Sequence, residues 1–127
     1  MGKTEILIID DERSVADALK VILESEGFDV TLAASGRDGI ERARQEKFRL
    51  AITDLRLPDM SGLEVLQTLR AENPGLRVIL TTSYGTPKIL AEAIGFGAEG
   101  TLDKPFAPSE IVRLITSVLE RTPDARS

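Results

Sequence analysis

The sequence predicts an α/β fold in which a parallel sheet of five strands is doubly wound, with five helices covering its two faces. Short apolar runs alternate with segments of helical periodicity along the chain, and the connections between them are short. The apolar runs are continuous, which is typical of strands that are buried on both faces. Such sheets place their chemistry just beyond the carboxyl ends of the strands.

The first half of the chain supplies three strands and two helices. In order, the patterns predict a strand over residues 6–9, a helix over 14–26, a strand over 29–33, a helix over 36–45 and a strand over 49–54. In the first helix Val15, Leu19 and Ile22 recur at helical spacing. Gly27 follows and favours a C-terminal stop.

The second half supplies two strands and three helices. Val65, Leu66 and Leu69 line one face of the third helix, which is expected to end before the turn at Asn73-Pro74-Gly75. The remaining predicted elements are a strand over residues 77–82, a helix over 87–96, a strand over 99–103 and a final helix that Ser109 starts and caps. The last residues, 121–127, are polar and are expected to be frayed.

The chain has the size and composition of one domain. Its 127 residues are 42% hydrophobic, which is enough for a core without disulfide or metal support. The sequence contains no apolar run long enough to span a bilayer and no signal-peptide pattern, so we expect a cytoplasmic protein without membrane attachment. The net charge of −5 would repel phosphate backbones, so direct nucleic-acid binding is not expected.

The sequence contains neither histidine nor cysteine. Their absence excludes disulfides, thiolate chemistry, Ser-His and Cys-His nucleophile pairs and ordinary zinc sites. Any chemistry must therefore use carboxylates, hydroxyls and lysine.

Acidic residues and one lysine follow three of the predicted strands. Asp10 and Asp11 come after the first strand, Asp54 ends the third, and Lys104 follows the fifth. Because the ends of parallel strands converge, these side chains are expected to share one crevice. Two carboxylates repel each other by about 4 kcal/mol at ~4 Å when the effective dielectric is about 20. A dication would offset this repulsion, and oxygen ligands with room for phosphate favour Mg²⁺, for which Mn²⁺ can substitute.

The same crevice is suited to phosphoryl transfer. A dication beside Asp54 and the ammonium group of Lys104 would neutralise the equatorial oxygens of a phosphoryl group while the Asp54 carboxylate attacks phosphorus in line. The product would be an acyl phosphate. Thr82, at the end of the fourth strand, is a candidate to donate its hydroxyl to a phosphoryl oxygen and so to couple the modification to movement of the next loop.

Taken together, these residues resemble the receiver domain of bacterial two-component response regulators. The resemblance covers nearly the whole chain and rests on Asp10-Asp11-Glu12, on residues 54–62 (DLRLPDMSG), on Thr82 and on Lys104-Pro105-Phe106. It implies a flavodoxin-like sheet with the strand order 2-1-3-4-5. It also implies a receiver domain over residues 1–121, followed over 122–127 by a flexible tail or the start of a linker.

By this resemblance, Asp54 accepts a phosphoryl group from a phosphohistidine on a sensor histidine kinase or a phosphotransfer protein. Lys104 and Thr82 contact the phosphoryl group. The resemblance assigns the metal ion to Asp11, Asp54 and the carbonyl of Arg56, with Asp10 acting through water. It further implies a cis peptide bond between Lys104 and Pro105.

The resemblance also indicates which surface and which residues would pass the signal to a partner. It implies that the fourth helix, fifth strand and fifth helix form the output surface, through which a homodimer can form. Arg56 and Tyr84 occupy positions where the family tunes the lifetime of the phosphate. Thr101, however, stands where receivers usually carry a tyrosine or phenylalanine that swings inward. Output is therefore expected to run through Tyr84, Phe96 or displacement of a helix.

Other interpretations of these residues stay open at this point. Asp10 and Asp11 could cap the following helix, since acids favour helix N-termini. The chain could be a small aspartyl-phosphate hydrolase that uses Asp10 or Asp54, although such hydrolases carry D-x-D after the first strand. It could also be an interaction scaffold that does not depend on phosphate. Residues 95–100 match G-x-G-x-x-G, but they end a helix and precede a strand, so a C-terminal stop is the better interpretation.

Overall fold

The computed structural model of the protein describes residues 2–121, in which five strands alternate with five helices. The strands are β1 (Glu5–Ile9), β2 (Asp29–Ala33), β3 (Leu50–Asp54), β4 (Arg77–Thr82) and β5 (Gly100–Asp103). The helices are α1 (Arg13–Ser25), α2 (Gly36–Gln45), α3 (Gly62–Glu72), α4 (Pro87–Gly95) and α5 (Pro108–Glu120). The tail predicted over 122–127 lies outside the described residues.

All strand pairs are parallel, and the strands form one sheet in the order β2-β1-β3-β4-β5. This confirms the predicted α/β class and the strand order 2-1-3-4-5. The order changes direction between β1 and β3, and in open α/β sheets the crevice for ligands lies beyond the strand ends at such a point. Asp10 and Asp54 are placed there.

The three central strands, β1, β3 and β4, each contribute to two separate apolar layers. In β1, Ile6 and Ile8 pack on the face that α1 and α5 cover, whereas Leu7 and Ile9 pack on the face that α2, α3 and α4 cover. Successive side chains of a strand point to opposite faces, so a strand covered on both sides needs an unbroken apolar run. This is why the continuous runs in the sequence predicted the sheet correctly.

Side chains cap the N-termini of α2, α3 and α4. Ser61 caps α3 by accepting a hydrogen bond from the N–H of Leu63, and Thr86 caps α4 in the same manner. The prediction that Ser109 caps the last helix is wrong. That helix begins at Pro108, whose fixed φ suits the first helical position and which has no N–H to satisfy. The N–H of the preceding residue, Ala107, is bound by the Glu110 carboxylate at 2.7 Å.

Two glycines end helices in the left-handed region of backbone conformation. Gly27 has a φ of 94° and Gly97 a φ of 104°, a conformation that glycine adopts at little cost. The predicted stop at Gly27 is confirmed, and α4 ends at Gly95, one residue earlier than predicted. Residues 95–100 therefore terminate a helix and do not form a dinucleotide-binding turn.

Candidate functional site

The carboxyl ends of β1, β3 and β5 bring a lysine and three carboxylates together. The Nζ of Lys104 lies 2.8 Å from Asp10 Oδ2, 3.2 Å from Glu12 Oε1 and 3.3 Å from Asp54 Oδ2. Lys104 and Asp10 are 94 positions apart in the sequence. The prediction that these strand ends form one crevice is therefore confirmed for Asp10, Asp54 and Lys104.

The two aspartates at the centre of the sheet are buried. Asp10 is 5% exposed and Asp54 is 8% exposed, because Asp10 directly follows β1, Asp54 ends β3, and both strands have neighbours on each side. The ammonium group of Lys104 compensates both charges. Its position is fixed from the backbone, since the N–H of Lys104 donates to the carbonyl of Thr82 at 2.8 Å. The Lys104–Pro105 peptide bond is cis, as the family resemblance implied.

Burial and charge perturb the ionisation of this cluster. Burial raises the pKa of the Asp54 carboxyl, the charge of Lys104 opposes that rise, and the nearby charge of Asp10 adds to it. Burial alone would lower the pKa of Lys104, but its hydrogen bond and charge interaction with Asp10, together with Asp54, raise it. Ionisation of Asp54 thus destabilises the folded chain. A bound cation, or loss of the negative charge, would remove this destabilisation.

The raised pKa of Asp54 predicts how the effect of Asp54→Asn on stability changes with pH. The pKa of Asp54 is higher in the folded chain than in the unfolded chain, so ionisation of Asp54 opposes folding above that pKa. Asparagine is neutral throughout. In chelator-treated protein, urea unfolding should show Asp54→Asn more stable than the wild type at neutral pH. The difference should shrink as the pH falls through the raised pKa of Asp54. A difference that widens on acidification would contradict this account of the cluster.

The loop between β3 and α3 is closed tightly beside Asp54. The N–H of Gly62 donates to the carbonyl of Leu55 at 2.7 Å, and Arg56 pairs with Ser61 in an antiparallel bridge. A Cβ at Gly62 would lie 2.2 Å from the carbonyl oxygen of Asp54, so only glycine fits this close approach. The backbone that carries the Arg56 carbonyl is therefore held in place next to the crevice.

The tip of the same loop is anchored to the neighbouring helix. The two carboxylate oxygens of Asp59 each accept a hydrogen bond of 2.9 Å, one from the N–H of Gly36 and one from the N–H of Arg37, at the start of α2. The N–H groups of Arg37 and Gly36 lower the pKa of Asp59. No function was predicted for Asp59 from the sequence, because a contact between residues 23 positions apart leaves no local pattern.

Thr82 lies at the end of β4, on the other side of Asp54 from β1. It is buried, and its Oγ1 accepts a hydrogen bond of 3.0 Å from the N–H of Tyr84. The ring of Tyr84 lies 4.8 Å from the guanidinium carbon of Arg56, within the range of a cation–π contact. Tyr84 is 67% exposed. Arg56 and Tyr84 thus form a pair at the rim of the crevice. The sequence pointed to both residues but not to the contact between them.

The carboxylates of this site suit a hard cation. One oxygen each of Asp10, Glu12 and Asp54 lie within 4.8 Å of one another. An all-oxygen donor set of this kind fits Mg²⁺ or Mn²⁺ better than a soft metal. Asp11 is exposed and lies outside this group, and Glu12, which the sequence analysis assigned no role, lies within it.

The capping interpretation of the first acidic cluster does not fit the geometry. The N-terminal cap position of α1 belongs to Glu12, whose side chain makes no capping hydrogen bond. Asp10 instead accepts the N–H of Glu12 with Oδ1 at 2.9 Å and the ammonium of Lys104 with Oδ2. Both of its oxygens therefore serve to build the crevice.

Comparisons with known proteins agree on one family. The family model described as "Response regulator receiver domain" matches residues 6–116. The protein described as "Probable transcriptional regulatory protein TcrX" of Mycobacterium tuberculosis is 37% identical over 117 residues, which are 92% of this chain and 50% of that protein. The chain thus spans about half the length of the curated relatives it matches.

Solved structures give the same result. A CheY-like response regulator receiver domain protein from Methanospirillum hungatei is similar with a TM-score of 0.91 and 34% identity, over 94% of this chain and 95% of that one. The beryllofluoride-activated receiver domain dimer of NtrC4 is similar with a TM-score of 0.87 and 28% identity, over 91% of this chain and 96% of that one. Among residues 2–121, every helix is too short or too polar to cross a bilayer.

Proposed function

The chain belongs to the response regulator receiver domain family, and on that premise we propose that it is a phosphorylation-controlled switch whose phosphoryl acceptor is Asp54. The observation that carries this proposal is the contact of the Lys104 ammonium with both buried aspartates, at 2.8 Å for Asp10 and 3.3 Å for Asp54. A buried nucleophilic carboxylate beside a fixed cation is the arrangement that in-line phosphoryl transfer requires.

In the proposed reaction, the ionised carboxylate of Asp54 attacks the phosphorus of a phosphohistidine on a sensor histidine kinase or a phosphotransfer protein. A P–O bond to Asp54 forms as the P–N bond breaks, and the imidazole leaves. Lys104 donates hydrogen bonds to phosphoryl oxygens and offsets their charge. A Mg²⁺ ion held by Asp11, Asp54 and the Arg56 carbonyl, with Asp10 acting through water, would supply further positive charge to the crevice.

The signal then leaves the crevice through Thr82. Thr82 is buried at the end of β4, the strand that pairs with β3, and its hydroxyl is linked to the next loop by the hydrogen bond from the N–H of Tyr84. If the hydroxyl turns toward a phosphoryl oxygen, that hydrogen bond is strained or lost, and the loop before α4 moves. Helix α4, all of which is described, buries Ala93 alone. It is held weakly enough to follow the loop. This supports displacement of α4 as the output, since Thr101 stands where receivers usually carry the aromatic residue that swings inward.

The surface of α4, β5 and α5 is the proposed output surface, through which a homodimer can form. Ile94 is 51% exposed and Phe96 is 40% exposed at the end of α4, which gives this surface an apolar element. The related NtrC4 receiver domain forms a dimer when activated by beryllofluoride. We place the protein in the cytoplasm, with no direct nucleic-acid contact by this segment and no membrane attachment.

One experiment separates the switch from its alternatives. Purified protein is incubated with acetyl phosphate and Mg²⁺, and intact mass and released phosphate are followed together. The switch should retain one phosphoryl group per chain and release phosphate slowly. Steady release from phosphate monoesters would instead indicate an aspartyl-phosphate hydrolase. A chain whose partner binding is the same for the wild type and Asp54→Asn, with and without phosphodonor, would be a phosphate-independent scaffold.

The pair of Arg56 and Tyr84 is expected to set how long the phosphoryl group persists. The two side chains stack at the rim of the crevice, where they would limit the access of water to the acyl phosphate. Arg56→Ala and Tyr84→Ala should each speed hydrolysis. Because each removes the same contact, the double variant should be little faster than the faster single variant. The measurement is loss of the phosphorylated mass after the donor is removed, and an unchanged rate in both single variants would refute the shielding role.

A further inference from the structure

The carboxylate of Glu12 occupies a hydrogen bond that Lys104 would otherwise give to a phosphoryl group. An ammonium group has three N–H donors. Three carboxylate oxygens already lie within 3.3 Å of the Lys104 Nζ, from Asp10, Glu12 and Asp54. A phosphoryl oxygen can therefore bind Lys104 only if one of these contacts is given up.

Burial decides which contact is given up. The side chains of Asp10 and Asp54 are 4% and 10% exposed, whereas that of Glu12 is 57% exposed. A largely buried carboxylate that loses its partner is only poorly hydrated, so the loss costs free energy. Glu12 can turn outward and be hydrated, so it is the partner that leaves at least cost.

Helix capping does not explain the orientation of the Glu12 side chain. Glu12 holds the cap position of α1, but its side chain accepts no hydrogen bond from the helix. Its backbone is fixed instead by the hydrogen bond from its N–H to Asp10 Oδ1, at 2.9 Å. This anchors Glu12 beside the crevice and directs its carboxylate to Lys104, 92 positions away in the sequence.

Building on the proposed function, we propose that Glu12 is a positioning residue that holds Lys104 in the unphosphorylated chain and competes with the phosphoryl group for it. The contact should slow phosphoryl uptake and weaken the binding of phosphoryl analogues. Glu12 also adds a third carboxylate to the group that suits a cation. Its loss should therefore act in opposite directions on the two ligands: Mg²⁺ should bind more weakly, while phosphoryl groups should bind and react more readily.

The test compares Glu12→Gln with the wild type in two assays. Calorimetric titration with Mg²⁺ alone should give a dissociation constant that is about two- to fivefold higher for the variant. At saturating Mg²⁺, the dissociation constant for beryllofluoride should fall by about two- to fivefold. The rate of phosphoryl uptake from acetyl phosphate should rise by about the same factor, which is the range expected for an exposed ion pair. Tyr84 is the single tyrosine and the chain has no tryptophan, so its fluorescence reports beryllofluoride binding beside Thr82.

Two control variants complete the test. Glu12→Asp keeps the charge but shortens the reach to Lys104, so it should also be faster than the wild type. If Glu12→Asp takes up phosphoryl groups at the wild-type rate, the contact between Glu12 and Lys104 is not what slows uptake. Glu46→Gln removes an exposed charge at the C-terminal end of α2 and should take up phosphoryl groups at the wild-type rate. An equal gain in rate for this variant would mean that net charge alone is responsible. If the wild type takes up phosphoryl groups and Glu12→Gln is no faster, this inference fails and the proposed function stands. If the wild type takes up none, the proposed function itself fails.

Discussion

Asp54→Asn is expected to abolish phosphoryl uptake completely. The amide has nearly the same shape as the carboxylate, and it removes the only proposed nucleophile without leaving Lys104 alone, since Asp10 and Glu12 remain within 3.2 Å of it. With acetyl phosphate and Mg²⁺, the intact mass of the wild type should increase by one phosphoryl group. The mass of Asp54→Asn should not change at any time point.

The matched control for this variant is Asp103→Asn. Asp103 also ends a strand of the sheet, but its side chain is exposed and it pairs in register with Thr82, at the far side of β4 from Asp54. The control should be modified at the wild-type rate. A phosphorylated Asp54→Asn, or an Asp103→Asn that takes up none, would contradict the assignment of the acceptor.

The second large effect is expected for Lys104→Met. Methionine keeps the apolar length of the lysine side chain but removes the charge that faces the incoming phosphoryl oxygens. Loss of one such donor from a preorganised site slows the reaction by about a hundred- to a thousandfold. The same change removes a cation that neutralises the buried carboxylates, so Mg²⁺ should bind at least as tightly as in the wild type. Uptake is followed by intact mass and Mg²⁺ binding by calorimetry.

The exposed Lys47 provides the control for Lys104→Met. Lys47→Met changes the net charge by the same amount and should leave both uptake and Mg²⁺ binding unchanged. Thermal unfolding of both variants shows whether they are folded under the assay conditions. Uptake by Lys104→Met at close to the wild-type rate would mean that Lys104 serves only to neutralise buried acids.

Much of the fold follows from the sequence because the sheet has simple physical requirements. Strands that are covered on both faces need unbroken apolar runs, and the runs around Ile8, Ile52 and Ile79 are all buried in the structure. The crevice was predictable for the same reason. Asp54 ends a strand, Asp10 and Lys104 each directly follow one, and the ends of parallel strands meet.

The remaining features of the site depend on side-chain reach, which spacing in the sequence does not determine. Glu12 joins the site because a turn at Asp10 directs it to Lys104, and Arg56 meets Tyr84 because two separate loops meet at the rim. The cap of α5 was mispredicted because the propensity of serine for the cap position competes with that of Pro108 for the first helical position, and proline prevailed. For Glu12 and Arg56, the deciding contact is between groups that only the folded chain brings together.

The most direct measurement locates the phosphoryl group on the chain. An acyl phosphate on aspartate is reduced by borohydride to homoserine, so peptide mapping after treatment with acetyl phosphate, Mg²⁺ and borohydride identifies the modified residue. Homoserine is expected at position 54 alone, and none is expected when the phosphodonor is omitted. Homoserine at position 10 or 11, or none in protein that is folded and saturated with Mg²⁺, would contradict this expectation.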